Sequence, residues 1–408
     1  MLVLLVSSVV IGCAKSTTTT APATTTAATG PLLIGSIGPR TGWAGVYGTD
    51  GQDLKLAYAD YYNARGGING RQIKIIEYDN ESKPENDVLY VKKLIETDKV
   101  LAILGPIINQ DALAAIGAAK FQGCPLIYDL PLSIISEISQ PGSNIFGIDA
   151  PPGRYFMATV SRLKEKYGVK KLAILTTSDE NGQEDIDWIT QATESLGGIQ
   201  IVDTERIDPD AIDATPQLTR IMATNPDAIH LGGGGTCIGP IMKGIQLLNI
   251  NLPVAGATGF VGKEMFDLIK GYEPKEFFFP VMMPQVAALG VLPADDPIMS
   301  IANKMVDIWQ AKYGDSRGNR EQILFSWIGW DMDSMDLIVK AINEAGPLPA
   351  DVTLARKAIN DALENKIVGL VQLLGTRTLT PTDHIGLSLT GGVILVTSKN
   401  GAPSALQD

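Results

Sequence analysis

Histidine and cysteine are nearly missing from this 408-residue chain, which holds two His and three Cys, all scattered. None falls at zinc or iron–sulfur spacing, so no metal is expected. Basic residues are scarce as well: 33 Lys plus Arg stand against 45 Asp plus Glu, a net charge of -12. Binding a phosphate backbone needs clustered cations, so a nucleic-acid partner is excluded. The excess acid reads as a solvated surface. Also missing are a Ser-His-Asp ordering and a nucleophile elbow, so no enzyme and no cofactor are expected. Gly232-Gly233-Gly234-Gly235 lacks the Lys-Ser/Thr of a phosphate loop and the spacing of a dinucleotide fingerprint. It reads as a loop without side chains, with Gly234 leaving room in a cleft.

What is present is a repeating strand–helix rhythm. Leu32–Ile37 is an apolar run too short for a helix, followed by a glycine-rich loop from Gly38 to Gly48 that contains Trp43 and Tyr47. A helix is predicted from about Asp50 to Ala64, stopped by Arg65-Gly66-Gly67-Ile68-Asn69-Gly70-Arg71, residues that tolerate a left-handed backbone. Gln72–Tyr78 is the next strand. This βαβ unit implies a parallel sheet whose ligand edge holds the loop from Pro39 to Gly48. The alternation continues with strands at Val100–Leu104 and Pro125–Tyr128 and helices at Lys83–Thr97 and Ala112–Gln122.

It restarts after Ile145–Pro152, with strands at Lys171–Leu175, Ile199–Asp203, Ala228–Leu231 and Val254–Ala257. A chain of this length exceeds one core, so the fold class is α/β with two doubly wound parallel-sheet lobes facing across a cleft. Long helices are predicted at Pro297–Tyr313, Trp327–Ala345 and Leu354–Asn365. A terminal hairpin is predicted from Ile385–Leu389 and Val393–Thr397, turning at Gly391-Gly392.

The start of the chain has a separate logic. Met1–Gly12 is apolar, too short to span a bilayer but long enough for the core of a signal peptide. A small residue before Cys13 resembles the lipidation site of bacterial lipoproteins, although no Lys or Arg precedes the apolar run. Either the start lies upstream or the signal is atypical. Residues 14–30 are almost wholly Thr, Ala and Ser and read as a disordered tether. The expected placement is extracytoplasmic, held to a membrane by lipid on Cys13.

Four segments together carry a family resemblance. They are Ile37-Gly38-Pro39 with Thr41-Gly42, Asn63 through Arg71, Tyr78-Asp79-Asn80-Glu81-Ser82 with Pro84, and Ile103-Leu104-Gly105-Pro106. In order and spacing they resemble the substrate-binding proteins of ABC importers, in the type I class that includes the leucine/isoleucine/valine-binding proteins. The resemblance covers Leu32 to about Asn400. It implies two lobes joined by a three-segment hinge, with crossings near Asp149–Pro152, Pro280–Pro284 and Leu374–Thr376. The lobes would be 31–150 plus 283–374 and 151–282 plus 375–408.

The resemblance also implies ligand contacts from Tyr47 and Trp43, from the segment Ile107, Asn109 and Gln110, and from Leu130 and Leu132. On the second lobe it implies Asn181 and Gly234, and Thr258 where amino-acid binders have the acid that pairs with the ligand ammonium. A buried ammonium without a counter-charge is costly. The expected ligand is therefore a small amide or organic acid. Blander roles stand beside these: Tyr47 packing on its lobe, and Asn109, Asp179 and Asn181 capping helices. His230 and the Trp327/Trp330 pair are expected in the core. Cys124 and Cys237 would fall on opposite lobes as free thiols. The implied partners are ABC permease subunits, with the protein itself a monomer. The alternative is a sensor of the same fold that signals to a separate chain.

Overall fold

The computed structural model describes residues 28–129, 138–149, 152–261, 263–290, 292–388 and 393–406. Cys13, Leu130 and Leu132 lie outside the described residues. The first sheet holds β1 (Leu32–Gly38), β2 (Ile73–Asp79), β3 (Ala102–Leu104), β4 (Leu126–Tyr128) and β5 (Ile145–Gly147). Its order is β2-β1-β3-β4-β5, all parallel. Ile34, Ser36 and Ile37 of β1 are all buried, as a strand covered on both faces requires. The helices between these strands are α1 (Gly45–Asn63), α2 (Pro84–Glu96) and α3 (Asn109–Ala119).

The second sheet is built from β6 (Lys171–Thr177), β7 (Gln200–Ile207), β8 (Ala228–Leu231), β9 (Val254–Gly256) and β10 (Phe277–Val281). Its helices are α4 (Gly153–Tyr167), α5 (Glu180–Leu196), α6 (Thr215–Ala223), α7 (Ile238–Leu247) and α8 (Lys263–Ile269). After it come α9 (Met283–Ala288), α10 (Pro297–Tyr313), α11 (Arg320–Leu324), α12 (Ile328–Ala345) and α13 (Val352–Lys366). This return places Trp309, Ile338 and Leu363 in one core with Ile34, Leu54 and Tyr58. The chain thus goes back to the first sheet after completing the second.

Three expectations need correction. The glycine-rich stretch is not all loop, because α1 begins at Gly45 rather than near Asp50. The glycines serve close packing here. A Cβ on Gly48 would sit 2.2 Å from the Pro39 carbonyl oxygen, and one on Gly51 would sit 2.2 Å from the Asp331 carboxylate.

The terminal hairpin is also elsewhere. Leu387–Ser388 is β13, the edge of a small antiparallel sheet with β11 (Leu370–Val371) and β12 (Thr376–Arg377). The hairpin is β14 (Ile394–Lys399) with β15 (Ala402–Ala405), and β14 pairs antiparallel with β10. Asn400 and Gly401, both at positive φ, make the two-residue turn that such a hairpin favours. Gly391 and Gly392 lie outside the described residues.

The third crossing falls later than Leu374–Thr376. His384 stacks on Phe146 at 4.5 Å, and Leu379 shares the first core. The chain joins the second sheet only at Ile394, so 375–388 belongs with the first lobe. Among the described residues, no helix is long and apolar enough to cross a membrane.

Candidate functional site

The two sheets turn their carboxyl edges toward one cavity, the place where open α/β sheets hold ligands. Its void is about 760 Å³ counting the open mouth. From the first lobe, Trp43 and Tyr47 enter at the start of α1, and Ile107, Ile108 and Asn109 follow β3. From the second, Asn181, Glu184 and Asp185 come from the first turns of α5, Gly233 and Gly234 follow β8, and Thr258 follows β9. Asp149, Tyr155 and Met282 flank the crossings, while Trp327 and Trp330 form the wall at the start of α12.

Local chemistry fixes these positions. Asp179 caps α5 by accepting from the Gly182 N–H at 3.0 Å and from the Thr177 hydroxyl at 2.6 Å. A Cβ on Gly182 would meet the Thr177 carbonyl oxygen at 1.9 Å. Helix α5 therefore rests directly on the end of β6, and Asn181 with Glu184 and Asp185 one turn later share its cleft-facing side. The cap is Asp179, and Asn181 is free to point across the cleft.

The lobes bond to each other at the cavity. Tyr47 Oη accepts from the Gly235 N–H at 2.6 Å and lies 3.6 Å from Met265 Sδ. The Asn109 N–H donates to Asn181 Oδ1 at 3.2 Å, and Asn109 Nδ2 donates to Glu184 Oε2. Trp327 Nε1 donates to the Val261 carbonyl oxygen at 3.0 Å. The Trp327 ring meets Tyr47 edge-on at 5.4 Å and stacks on Trp330 at 4.5 Å. Trp330 Nε1 donates to Asp149 Oδ2 at 3.1 Å.

The electrostatics lean one way. Burial pushes the Glu184 carboxyl up to about 7, although the nearby Trp188 N–H and the hydrogen bond from Asn109 pull it down. Burial likewise takes Asp185 up to about 8, against the Gly233 N–H that it accepts. This last bond and the Tyr47–Gly235 bond occupy two donors of the glycine run, which is therefore no phosphate cradle.

Seven of the residues named from sequence line the cavity: Trp43, Tyr47, Ile107, Asn109, Asn181, Gly234 and Thr258. Gln110 is not among the lining residues. The Trp327/Trp330 pair packs in the core as expected, and it lines the cavity as well. Glu184, Asp185, Asp149 and Tyr155 were missed. A signal existed for the first two, which sit three and four residues beyond Asn181 and so share its helix face. His230 is buried, 2.9 Å from the Thr159 hydroxyl, and burial lowers it to about 3. Cys124 and Cys237 are buried free thiols.

Buried carboxyls also occur elsewhere in the first lobe. Asn80 Nδ2 donates to both oxygens of Asp87, at 3.0 and 3.1 Å, and to Asp111 at 2.8 Å. Burial foremost raises Asp87 to about 8 and Asp111 to about 7. It raises Asp129 to about 8 and Asp333 to about 7. In the unfolded chain such groups titrate near 3.9. The native state then binds more protons than the unfolded one from about pH 4 to about pH 8. The stabilisation is complete below pH 4 and fades as pH rises through 7 to 8. Lowered acids such as Asp79 and Asp227 work in the opposite sense, but their effect is complete by about pH 5. The ligand-free protein is expected to melt several degrees higher at pH 5.5 than at pH 8.5 by calorimetry. An equal or reversed order would contradict this assignment.

Two parallel-sheet lobes that meet over a ring-lined cavity, with bonds between them at its rim, define the class of bilobal solute-binding proteins. Residues 31–401 match the family model described as "Periplasmic binding protein", and the chain belongs to that family. A relative from Pseudomonas aeruginosa, named "Amino acid binding protein", is 24% identical over 239 residues. That match covers 58% of this chain and 63% of the relative, less than two thirds of its length.

Among solved structures, an extracellular ligand-binding receptor from Rhodopseudomonas palustris has a TM-score of 0.80 at 20% identity, covering 93% of this chain and 100% of that one. The substrate-binding protein LivJ of a branched-chain amino-acid transporter from Streptococcus pneumoniae, in complex with isoleucine, has a TM-score of 0.74 at 21% identity. It covers 92% of this chain and 98% of that one.

Proposed function

We propose that this chain is an extracytoplasmic receptor that closes two lobes over a small organic solute and delivers it to an ABC permease. One observation carries the reading: the cavity is assembled from both lobes, which are bonded together at its rim through Tyr47–Gly235 and Asn109–Glu184. Such an arrangement binds by enclosure, and the solute favours the closed state because only there does it touch both walls. No covalent step is needed. Family membership and the family resemblance support the same reading, as does the signal-like start leading to Cys13. Lipid on Cys13, with the tether to residue 30, would keep a monomeric receptor near its permease. The lobe limits follow as 31–149 plus 283–388 and 152–281 plus 394–408.

Of the two ligand classes expected from Thr258, the organic acid loses support. Among the described lining residues there is no Lys, Arg or His, while Asp149, Glu184 and Asp185 all face the cavity.

A thermal-shift screen finds the solute, because a binder raises the melting point by mass action. The best hit, at saturation, is expected to shrink the radius of gyration in small-angle scattering and to change the fluorescence of Trp327 and Trp330. A saturating hit that leaves both unchanged would refute closure over this cavity.

A further inference from the structure

The lining of the cavity holds three carboxyl groups and no Lys, Arg or His among the described residues. Asn109 is buried, at 5% exposure, and its Oδ1 has no partner. The same holds for Glu184 Oε1, whose other oxygen accepts from Asn109 Nδ2. These two free acceptors belong to side chains bonded to each other across the cleft, so they lie on one patch of wall. A buried acceptor left unpaired costs about 1–3 kcal/mol, more when charged.

The ring donors beside them are already in use. Trp327 Nε1 reaches Val261, Trp330 Nε1 reaches Asp149, and the Tyr47 hydroxyl sits between Gly235 and Met265. Trp327 and Trp330 cover one face of each other, and both rings line the cavity, where aromatic faces attract cations. Asp149 and Asp185 add two more carboxyl groups to the same cavity.

We infer that the solute is a small organic ammonium carrying N–H groups, an amine without a carboxylate, donating to Asn109 Oδ1 and Glu184 Oε1 with its carbon chain against Trp327 and Trp330. This rests on the receptor reading above and narrows its ligand. The ammonium partner moves from the strand-end position of Thr258 to Glu184 on α5. A neutral isostere fills the same volume but gives the Glu184 carboxyl no cation to pair with. A carboxylate finds no Lys, Arg or His among the described lining residues.

The test compares five probes of similar shape by titration calorimetry and small-angle scattering. They are isopentylamine, leucine (the same skeleton with a carboxylate), isopentanol, isovalerate and tetramethylammonium. Isopentylamine is expected to bind tightest and to compact the protein. Tetramethylammonium, which has charge but no N–H, is expected to bind at least tenfold more weakly, and isopentanol weaker still. Leucine and isovalerate are expected to show no binding at millimolar concentration.

Glu184→Gln is expected to weaken isopentylamine at least tenfold and leave isopentanol unchanged, with ligand-free melting within a few degrees of the parent. Trp43→Leu, at the cavity mouth, is expected to weaken both cations and leave isopentanol less affected. The inference is overturned if leucine, isovalerate or isopentanol binds as tightly as isopentylamine. It is also overturned if Glu184→Gln binds the amine as the parent does. A different solute that closes the lobes while every amine fails would overturn the ligand class and keep the receptor. If no solute of any class compacts the protein, the receptor reading fails first.

Discussion

Gly234→Val is expected to abolish solute capture while leaving the ligand-free melting temperature within a few degrees of the parent. Gly234 lies where the second lobe meets the first. A Cβ there would stand 2.6 Å from Tyr47 Oη and 3.2 Å from its Cζ, contacts that packed atoms do not sustain. Tyr47 has little room to yield, since its hydroxyl is fixed by the Gly235 N–H and its ring by Trp327. Gly234 does not have a positive φ, so valine strains no backbone there.

The clash exists only while the lobes touch. Opening the cleft removes it and uncovers only the few first-lobe residues, such as Tyr47 and Ile107, that pack with the second core, while both sheets stay paired, which is why folding should be spared. The solute, however, binds the closed form, and penalising that form lowers apparent affinity by the same factor. A hundredfold loss corresponds to about 2.7 kcal/mol, a modest demand for an overlap of this size. Calorimetry with the solute that closes the parent protein, alongside scattering of the variant, reads both halves of the prediction. Undiminished affinity would show that Tyr47 and Gly234 do not meet in the bound state.

The features legible in the sequence were those with a local cause. Apolar runs ending in glycine marked β1, β3 and β8, and the loops after them did reach the cavity. The family resemblance then pointed to Tyr47, Trp43, Asn109 and Thr258 as ligand contacts, and all four line the cavity. The failures share another cause. Whether Gly45 and Gly48 belong to a loop or a helix depends on how closely Pro39 and Arg40 approach, a tertiary fact. Trp327 and Trp330 have a core-like pattern because they are partly core, and only the fold shows the cavity at their other face. Glu184 and Asp185 look like any solvated helix surface until the first lobe covers them. The terminal hairpin was legible but misread, since Asn400-Gly401 is a stronger turn signal than Gly391-Gly392. Arg377 carried no signal at all, because its four partners lie up to 230 positions away.

Arg377→Met is expected to be the most destabilising single change outside the cavity. The side chain is fully buried at the point where the small antiparallel sheet meets the end of β5. Its guanidinium donates to the carbonyl oxygens of Gly147 at 3.0 Å, of Ile148 and of Ile385, and to Gln372 Oε1 at 2.6 Å. Burial pulls its pKa down to about 10, with Asp333, Asp149 and Asp383 opposing, so it remains a cation at any working pH.

Methionine fills part of the volume and satisfies none of the four acceptors. At about 1–3 kcal/mol for each acceptor left dry, the sum is comparable to the whole stability of a typical domain, about 5–15 kcal/mol. Replacing an entire buried polar network can be neutral, but removing one member strands the rest. Asp333, which accepts from the Leu373 and Leu374 N–H groups at 2.8 and 2.9 Å, would also lose the cation whose field it shares.

The expected result is a urea midpoint far below the parent's or no soluble protein, with Arg377→Lys intermediate because one ammonium cannot reach four acceptors. Hydrogen exchange at Gly147 and Ile148 separates the causes. Local opening of the hinge would speed those amides while β1 stays protected, and global loss would speed both. A variant with the parent's midpoint and slow exchange at both places would mean that the hinge is held by something other than Arg377.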